Sequence, residues 1–403
     1  MTHPVLVVGV GGEGPDSLTP AMQERIAQAD HLWGGERLLA HWPDHPAERT
    51  VIKSNIEEMV ERLPGRGSAR VVVLASGDPG FYGIAGTLLR HLPPGEVEIV
   101  PHVSSLQLTF ARAGVDWNDA IFTSAHARPL SEIVGWARRA RKLGVLTGTR
   151  NTPDLIAQTL LDAGLDDCRA IVAENLGLPD ERITDTYLSA LRAQSFGPLN
   201  VLLLLRDAEW HPQAAFGPRP DDAYAHRRGL ITKADVRALS LARLALCETD
   251  TAWDIGAGSG AMSVEMAELA WQGWVYAVEH DAENLGYIHQ NTARFGALNV
   301  EVVEGSAPAA LEGLPPPNAV FVGGTGGEMA GILAQIERVA VSGCRVVINL
   351  ATLENLTEAL ETMRAHNWSP QVTQVSVAHG KDVGGRTRLA PLNPVFIVHT
   401  AIR

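Results

Sequence analysis

Residues 254–260 read Asp-Ile-Gly-Ala-Gly-Ser-Gly and lie between a short apolar run and a stretch of helical period. This pattern predicts a strand that turns on glycine and enters a helix, the repeating unit of a parallel α/β sheet. Glycine lacks Cβ, so backbone and a small ligand can approach closely. The first turn of the following helix also offers N–H groups with no partner inside the helix. A second glycine-rich strand end, Val-Val-Gly-Val-Gly-Gly-Glu-Gly-Pro at 7–15, opens the other half of the chain in a different style. The sequence therefore has to be explained as two unlike binding halves.

The chain has 403 residues, more than one ordinary core accommodates, and its 45% apolar content is enough for two. Cys168, Cys247 and Cys344 are widely spaced and odd in number, which predicts a reducing compartment and no metal cluster. The start, Met1-Thr2-His3-Pro4, lacks the basic segment of a signal peptide, and no apolar run reaches bilayer length. A cytoplasmic protein without membrane contact is expected. The formal charge of −13 argues against a nucleic-acid partner, which needs a basic face. It leaves room for an anionic small molecule met by local cations: Arg138, Arg139, Arg141 and Lys142; His226, Arg227 and Arg228; Lys381, Arg386 and Arg388. Solvated surface runs are the ordinary alternative for each cluster.

Strand-like and helix-like segments alternate throughout, which defines an α/β class. In the first half strands are expected at 5–10, 70–76, 96–101, 120–124, 144–148, 169–174 and 200–205. Ser54-Asn55-Ile56-Glu57 reads as a capping box, and Pro153 suits a first helical turn. Residues 206–229 are rich in Pro and charge, so 206–228 reads as a linker or wrapped connection between domains at 1–205 and 229–403. A capped helix is expected after Thr232. Further strands are expected at 250–254, 274–279, 299–303, 318–323, 344–350, 371–378 and 394–401. The last two, with only a loop between them, should form an antiparallel edge.

Gly256, Gly258, Gly260 and Ala261 also satisfy the looser dinucleotide pattern, so the glycines alone decide little. Two carboxylates add context. Asp254 stands at the strand end. Glu279 ends the next strand, where it can accept both ribose hydroxyl protons. An N-cap for Asp254 and an ordinary strand-end charge for Glu279 are the bland readings. With the closing strand pair, the combination resembles class I S-adenosylmethionine (SAM) methyltransferases. That resemblance implies SAM at Asp254, Gly256, Ala257, Gly258, Ser259, Gly260, Glu279 and Ser306. The run at 321–327, with Gly323, Gly324, Thr325 and Gly326, leads into a helix and could form an anion-binding nest of N–H groups or a flexible loop. With Gly229-Leu230-Ile231-Thr232-Lys233, it resembles the decarboxylating methyltransferase of corrin synthesis, which implies that Thr232 also lies at the SAM pocket.

Five segments of the first half agree in order with another family. They are the glycines at 9–14, Ser76-Gly77-Asp78-Pro79-Gly80, Pro101-His102-Val103-Ser104-Ser105, Ala173-Glu174-Asn175-Leu176-Gly177 and Gly197-Pro198-Leu199-Asn200. Together they resemble the tetrapyrrole methylases. The resemblance implies a two-lobed fold with SAM at Gly77, Asp78, Pro79, Ser104, Ser105, Leu176 and Leu199. His126 and Arg128 could meet substrate carboxylates or could be packing residues.

The tandem is similar to the fused decarboxylating C5,15-methyltransferase family. It implies two SAM sites per chain, no metal, a tetrapyrrole substrate, and a homo-oligomer. Its fold would be a tetrapyrrole-methylase domain followed by a Rossmann-like class I domain with a mostly parallel sheet and an antiparallel edge. No catalytic residue is evident; Glu304, His289 and His379 are weak candidates for a general acid. Lys381, Arg386 and Arg388 form an expected cationic rim for the C-terminal pocket.

Overall fold

The computed structural model describes residues 3–53, 56–61, 63, 67–126, 128–211, 218–227 and 229–402. Ser54 and Asn55 of the expected capping box, and Arg228, lie outside them. Backbone proximity divides the chain into two units. One comprises Met1–Arg128, Ala140–Gln158 and Asp167–Trp210, the other Pro129–Arg139, Thr159–Asp166 and His211–Arg403.

The first unit holds two sheets. Strands β1 (Val5–Val10), β2 (His31–Gly34), β3 (Glu48–Val51), β4 (Val71–Ser76) and β5 (Val97–Val100) form a parallel sheet in the order β3-β2-β4-β1-β5. Strand β1 is buried along its whole length and apolar on both faces, as a central parallel strand covered on both sides must be. Strands β6 (Ala120–Ser124), β7 (Lys142–Leu146), β8 (Arg169–Glu174), β9 (Arg182–Tyr187) and β10 (Asn200–Leu205) form the second sheet, in the order β6-β7-β10-β8-β9. It is antiparallel except between β6 and β7. All seven expected strands are present. Strands β2, β3 and β9 were not expected: the first two have four residues each, and β9 is mostly exposed with few apolar side chains.

The second unit is built on β11 (Thr251–Ile255), β12 (Trp274–Glu279), β13 (Val300–Glu304), β14 (Ala319–Val322), β15 (Arg345–Leu350), β16 (Gln371–Val375), β17 (Ala378–Val383), β18 (Arg386–Pro391) and β19 (Val395–Ala401). Seven of these form one sheet in the order β13-β12-β11-β14-β15-β19-β16. The five strands from β11 to β15 are parallel, and β19 and β16 close the edge antiparallel, as expected. Core residues such as Trp253, Val320, Ile336 and Ile348 pack on one face and Ala252, Met266, Phe321 and Ile397 on the other.

Two readings need correction. The segment after residue 378 is a hairpin of β17 and β18 rather than a loop, turning on Gly384-Gly385 with φ of +62° and +79°. Thr232 does not cap the helix Ala234–Leu244: Lys233 occupies the cap without a side-chain bond, and Asp221 Oδ1 accepts from Ala234 N at 3.0 Å. The cap thus comes from the supposed linker. Described residues 218–227 pack into the second unit, where Tyr224 is buried in the core and Arg219 pairs with Glu268 at 2.5 Å.

Candidate active sites at two sets of glycine-rich strand ends

Strand β11 lies between β12 and β14, so the chain runs outward on either side of it. At such a switch point a ligand crevice lies outside the carboxyl ends of the strands, beneath the loops that leave them. Here those loops are the two glycine runs. Gly256 has φ +70°, and a Cβ on it would stand 2.7 Å from Gly324 O and 2.8 Å from Gly324 N. The loops after β11 and β14 therefore meet backbone to backbone, which only glycine permits. At Gly258 φ is +57° and a Cβ would find nothing within 4 Å, so this turn faces open space.

A cavity of about 640 Å³ opens there. Of the expected residues, Thr232, Gly256, Ala257, Gly258, Ser259 and Gly323 line it. Met262, Phe321, Leu350, Val375 and Val395 add apolar wall, Asn349 and Asn393 polar atoms, and Lys233 the one charged side chain among the described lining residues. Lys233 and Phe321 fall within the quoted segments 229–233 and 321–327; Asn349, Leu350, Val375 and Val395 were not singled out, because they come from β15, β16 and β19, remote in sequence from the glycine motif. N–H groups of Gly324, Thr325 and Gly326 have no acceptor among the described residues, as a nest requires.

The two carboxylates stand behind the lining. Glu279 is 5% exposed; Oε2 accepts from Gly258 N at 2.8 Å, and Oε1 from His280 N and Asp281 N at 2.8 and 2.9 Å. It thus fixes the glycine turn, with a lone pair left on Oε2. Asp254 is wholly buried. Ser263 Oγ donates to its Oδ2, and Oδ1 has no partner. Burial pushes its carboxyl up to about 7; the Ser263 bond opposes this and the charge of Glu279 adds to it.

The helix Ala261–Leu269 that follows the turn is buried over most of its surface. Glu265 within it needs a counter-ion, and Arg237, fully buried, supplies one at 3.0 Å. The same guanidinium bonds Asp221 Oδ1 at 3.0 Å and the carbonyls of Thr232 and Arg219, each at 2.5 Å. It ties the cavity-lining segment 229–233 to the motif helix.

Several expected residues lie elsewhere. Ser306 lines a separate open groove with Glu312 and Arg338. Lys381, Arg386 and Arg388 share one face of the exposed hairpin, with Lys381 opposite Arg388, and do not line the cavity. His379 lies 3.2 Å from Asp235. Neither it nor Glu304 or His289 reaches the cavity lining.

In the first unit the ends of β1, β4 and β5 converge so tightly that a Cβ on Gly9 would stand 2.2 Å from Gly77 O and 2.7 Å from His102 N. A cleft of about 240 Å³ opens above them, lined by Gly77, Ser105, Leu176 and Leu199 among the expected residues. Ser104 is used by the helix Ser105–Ala113: its hydroxyl accepts from Gln107 N at 3.2 Å and its N–H bonds Gln107 Oε1 at 2.8 Å, a capping box. Asp78 closes its own turn on Gly80 N at 2.8 Å, and Pro79 O accepts from Ala85 N. His126 and Arg128 are outside the lining; Arg128 lies over the Tyr82 ring at 5.6 Å. Arg37 and Thr147 line the cleft and were not anticipated. The Gly34-Gly35 pair before Arg37 signals the end of β2. Among the described residues no cluster of His, Cys, Asp and Glu could hold a metal ion, and no helix is long and apolar enough to cross a membrane.

Two family models cover the chain in series. Residues 4–192 match the Tetrapyrrole (Corrin/Porphyrin) Methylases, and residues 222–401 match the Precorrin methyltransferase domain. Fold and strand-end cavities thus define a tandem methyltransferase of two unlike α/β domains. A Sinorhizobium precorrin-6Y C(5,15)-methyltransferase [decarboxylating] is 35% identical over 405 residues, spanning 96% of this chain and 94% of that protein. Two shorter relatives each match part of it. A Salmonella typhimurium cobalt-precorrin-7 C(5)-methyltransferase is 38% identical over 46% of this chain and 92% of its own length. A Pyrobaculum aerophilum probable cobalt-precorrin-6B C(15)-methyltransferase (decarboxylating) is 36% identical over 44% of this chain and 93% of its own length. The chain belongs to the precorrin-6Y C(5,15)-methyltransferase (decarboxylating) family.

Proposed function

We propose that this chain methylates carbons 5 and 15 of reduced precorrin-6 and removes CO2 from the ring C acetate, giving precorrin-8X in cobalamin synthesis. It uses SAM at two sites. The first unit acts at C5, and the second at C15 and in decarboxylation. The observation that carries this reading is the pair of separate cavities, each at glycine-rich strand ends, in a chain that matches its Sinorhizobium relative over 96% of its length.

The residues fit the donor. In the second unit the open face at Gly258, the backbone of Gly256 and Ala257, and the free lone pair of Glu279 Oε2 suit a nucleoside with ribose hydroxyls. In the first, Gly77, Ser105, Leu176 and Leu199 offer mainly backbone and apolar wall. Bound there, SAM supplies a methyl group on an electrophilic sulfonium. Met262, Phe321 and Leu350 keep water from the reacting atoms, and the rigid strand ends hold both partners in line. The N–H groups of Gly324, Thr325 and Gly326, Lys233 and the hairpin cations receive ring carboxylates. In decarboxylation the electron pair of the breaking C–C bond enters the conjugated ring, which takes up a proton as CO2 leaves. The protein need supply only position and charge. A homo-oligomeric, cytoplasmic enzyme completes the reading.

The test is incubation of the protein with reduced precorrin-6 and SAM, followed by mass spectrometry. Two added methyl groups and one lost CO2 are expected; an unchanged macrocycle refutes the reading.

A further inference from the structure

Arg37 carries the one charged side chain among the described residues lining the first unit's cleft. It stands on the short helix Glu36–Leu39 after β2 and donates to Ser76 Oγ, at the end of β4, at 3.2 Å. Four arginines of this unit are held in ion pairs: Arg25 by Glu98, Arg112 by Glu181, Arg169 by Asp185 and Arg182 by Glu174. Among the described residues no carboxylate lies within ion-pair distance of Arg37. The rest of the lining is glycine backbone, aliphatic side chains and neutral hydroxyls and amides.

A guanidinium fork at such a rim selects a carboxylate, because its paired N–H donors match the two oxygens. The chain's charge of −13 offers a polyanion no general attraction, so a local cation has to hold it. Position narrows the choice of ligand. Val10, Ala173 and Val201 at the floor are buried, whereas Arg37 is exposed at the rim. The floor suits the donor, and the rim suits the larger ring that lies over it.

We propose that Arg37 binds a peripheral acetate or propionate of the tetrapyrrole and so orients the ring for methylation by the first unit. This rests on the reading of that unit given above. Its contact with Ser76 Oγ fixes the guanidinium beside the Gly77 loop, where ring and donor would have to meet.

The experiment uses full-length wild type, Arg37→Ala and Arg37→Lys with SAM and reduced precorrin-6. Products are resolved by mass and by the position of the new methyl groups. Arg37→Ala should accumulate decarboxylated product one methyl short, with the KM for C5 methylation raised roughly tenfold to a hundredfold. C15 methylation should be unchanged, as should calorimetric affinity of the first unit for S-adenosylhomocysteine. Arg37→Lys should recover part of the loss. An unchanged KM overturns the proposal. So does weakened S-adenosylhomocysteine binding at unchanged ring KM, which would assign the donor's own carboxylate to Arg37. If wild type adds no methyl at C5, the reading of the unit falls and the proposal with it.

Discussion

Arg237→Ala tests whether the second unit's cavity wall depends on a buried charge. The side chain is fully buried and bonded to Glu265, Asp221 and two main-chain carbonyls. Its removal leaves Glu265 without its cation, a change that costs about 3–5 kcal/mol at buried pairs. The orphaned carbonyls of Thr232 and Arg219 add about 1 kcal/mol each where water cannot replace the donor. At about 2–4 °C per kcal/mol for a unit of this size, the Tm should fall on the order of 10 °C or more. Scanning calorimetry on the full chain measures this. The double variant Arg237→Met, Glu265→Leu should recover much of the loss, because both charges are then gone. A fall of less than about 2 °C, or a double variant no better than the single, would refute the reasoning. Since Arg237 also holds segment 229–233, the single variant should weaken S-adenosylhomocysteine binding in the second unit as well.

Asp254 makes stability pH-dependent. Its folded pKa, near 7, lies above the unfolded value near 4. Between those limits the unfolded chain releases a proton that the folded chain keeps. The stability this group contributes is complete below about pH 4 and falls by up to about 1.4 kcal/mol per pH unit toward 7. Urea melts at pH 5 and 7.5 should show this slope in wild type and not in Asp254→Asn; equal slopes would remove the assignment. Gly258→Val places bulk where the turn faces open space, so donor stoichiometry should drop from two to one per chain by calorimetry. Two donors still bound would show that the second-unit site lies elsewhere. The triple variant Lys381→Ala, Arg386→Ala, Arg388→Ala should raise the KM for C15 methylation about tenfold, a loss of one charge-assisted contact. Its Tm should hold, because the hairpin is exposed; an unchanged KM would exclude the hairpin from substrate binding.

What the sequence disclosed follows what local chemistry can encode. The five parallel strands from β11 to β15 are short apolar runs between helical stretches, and they were placed within a residue or two. The glycines of 254–260 and the ordered motifs of the first half located both cavities. The misses have physical causes. Strands β2 and β3 are too short to set a period, and β9 is an exposed edge of Arg, Thr and Asp. The β17–β18 hairpin lacks apolar alternation, yet Gly384-Gly385 is a two-residue turn signal that could have disclosed it. Ser104-Ser105-Leu106-Gln107 also has the Ser-x-x-Gln spacing of a capping box, so its helix-starting role was open to the same reading that was given to Ser54. Arg37 is a single cation, and nothing local distinguishes it from surface charge.

The seam between Gly256 and Gly324 has a consequence for how such a protein can change. Two loops from different strands abut there with no side chain between them, so neither can be displaced without pushing the other. The constraint is one-sided: a Cβ on Gly256 would strike Gly324, whereas a Cβ on Gly324 would meet nothing within 4 Å, so a lineage drifting toward a new acceptor has its freedom on the β14 side of the seam.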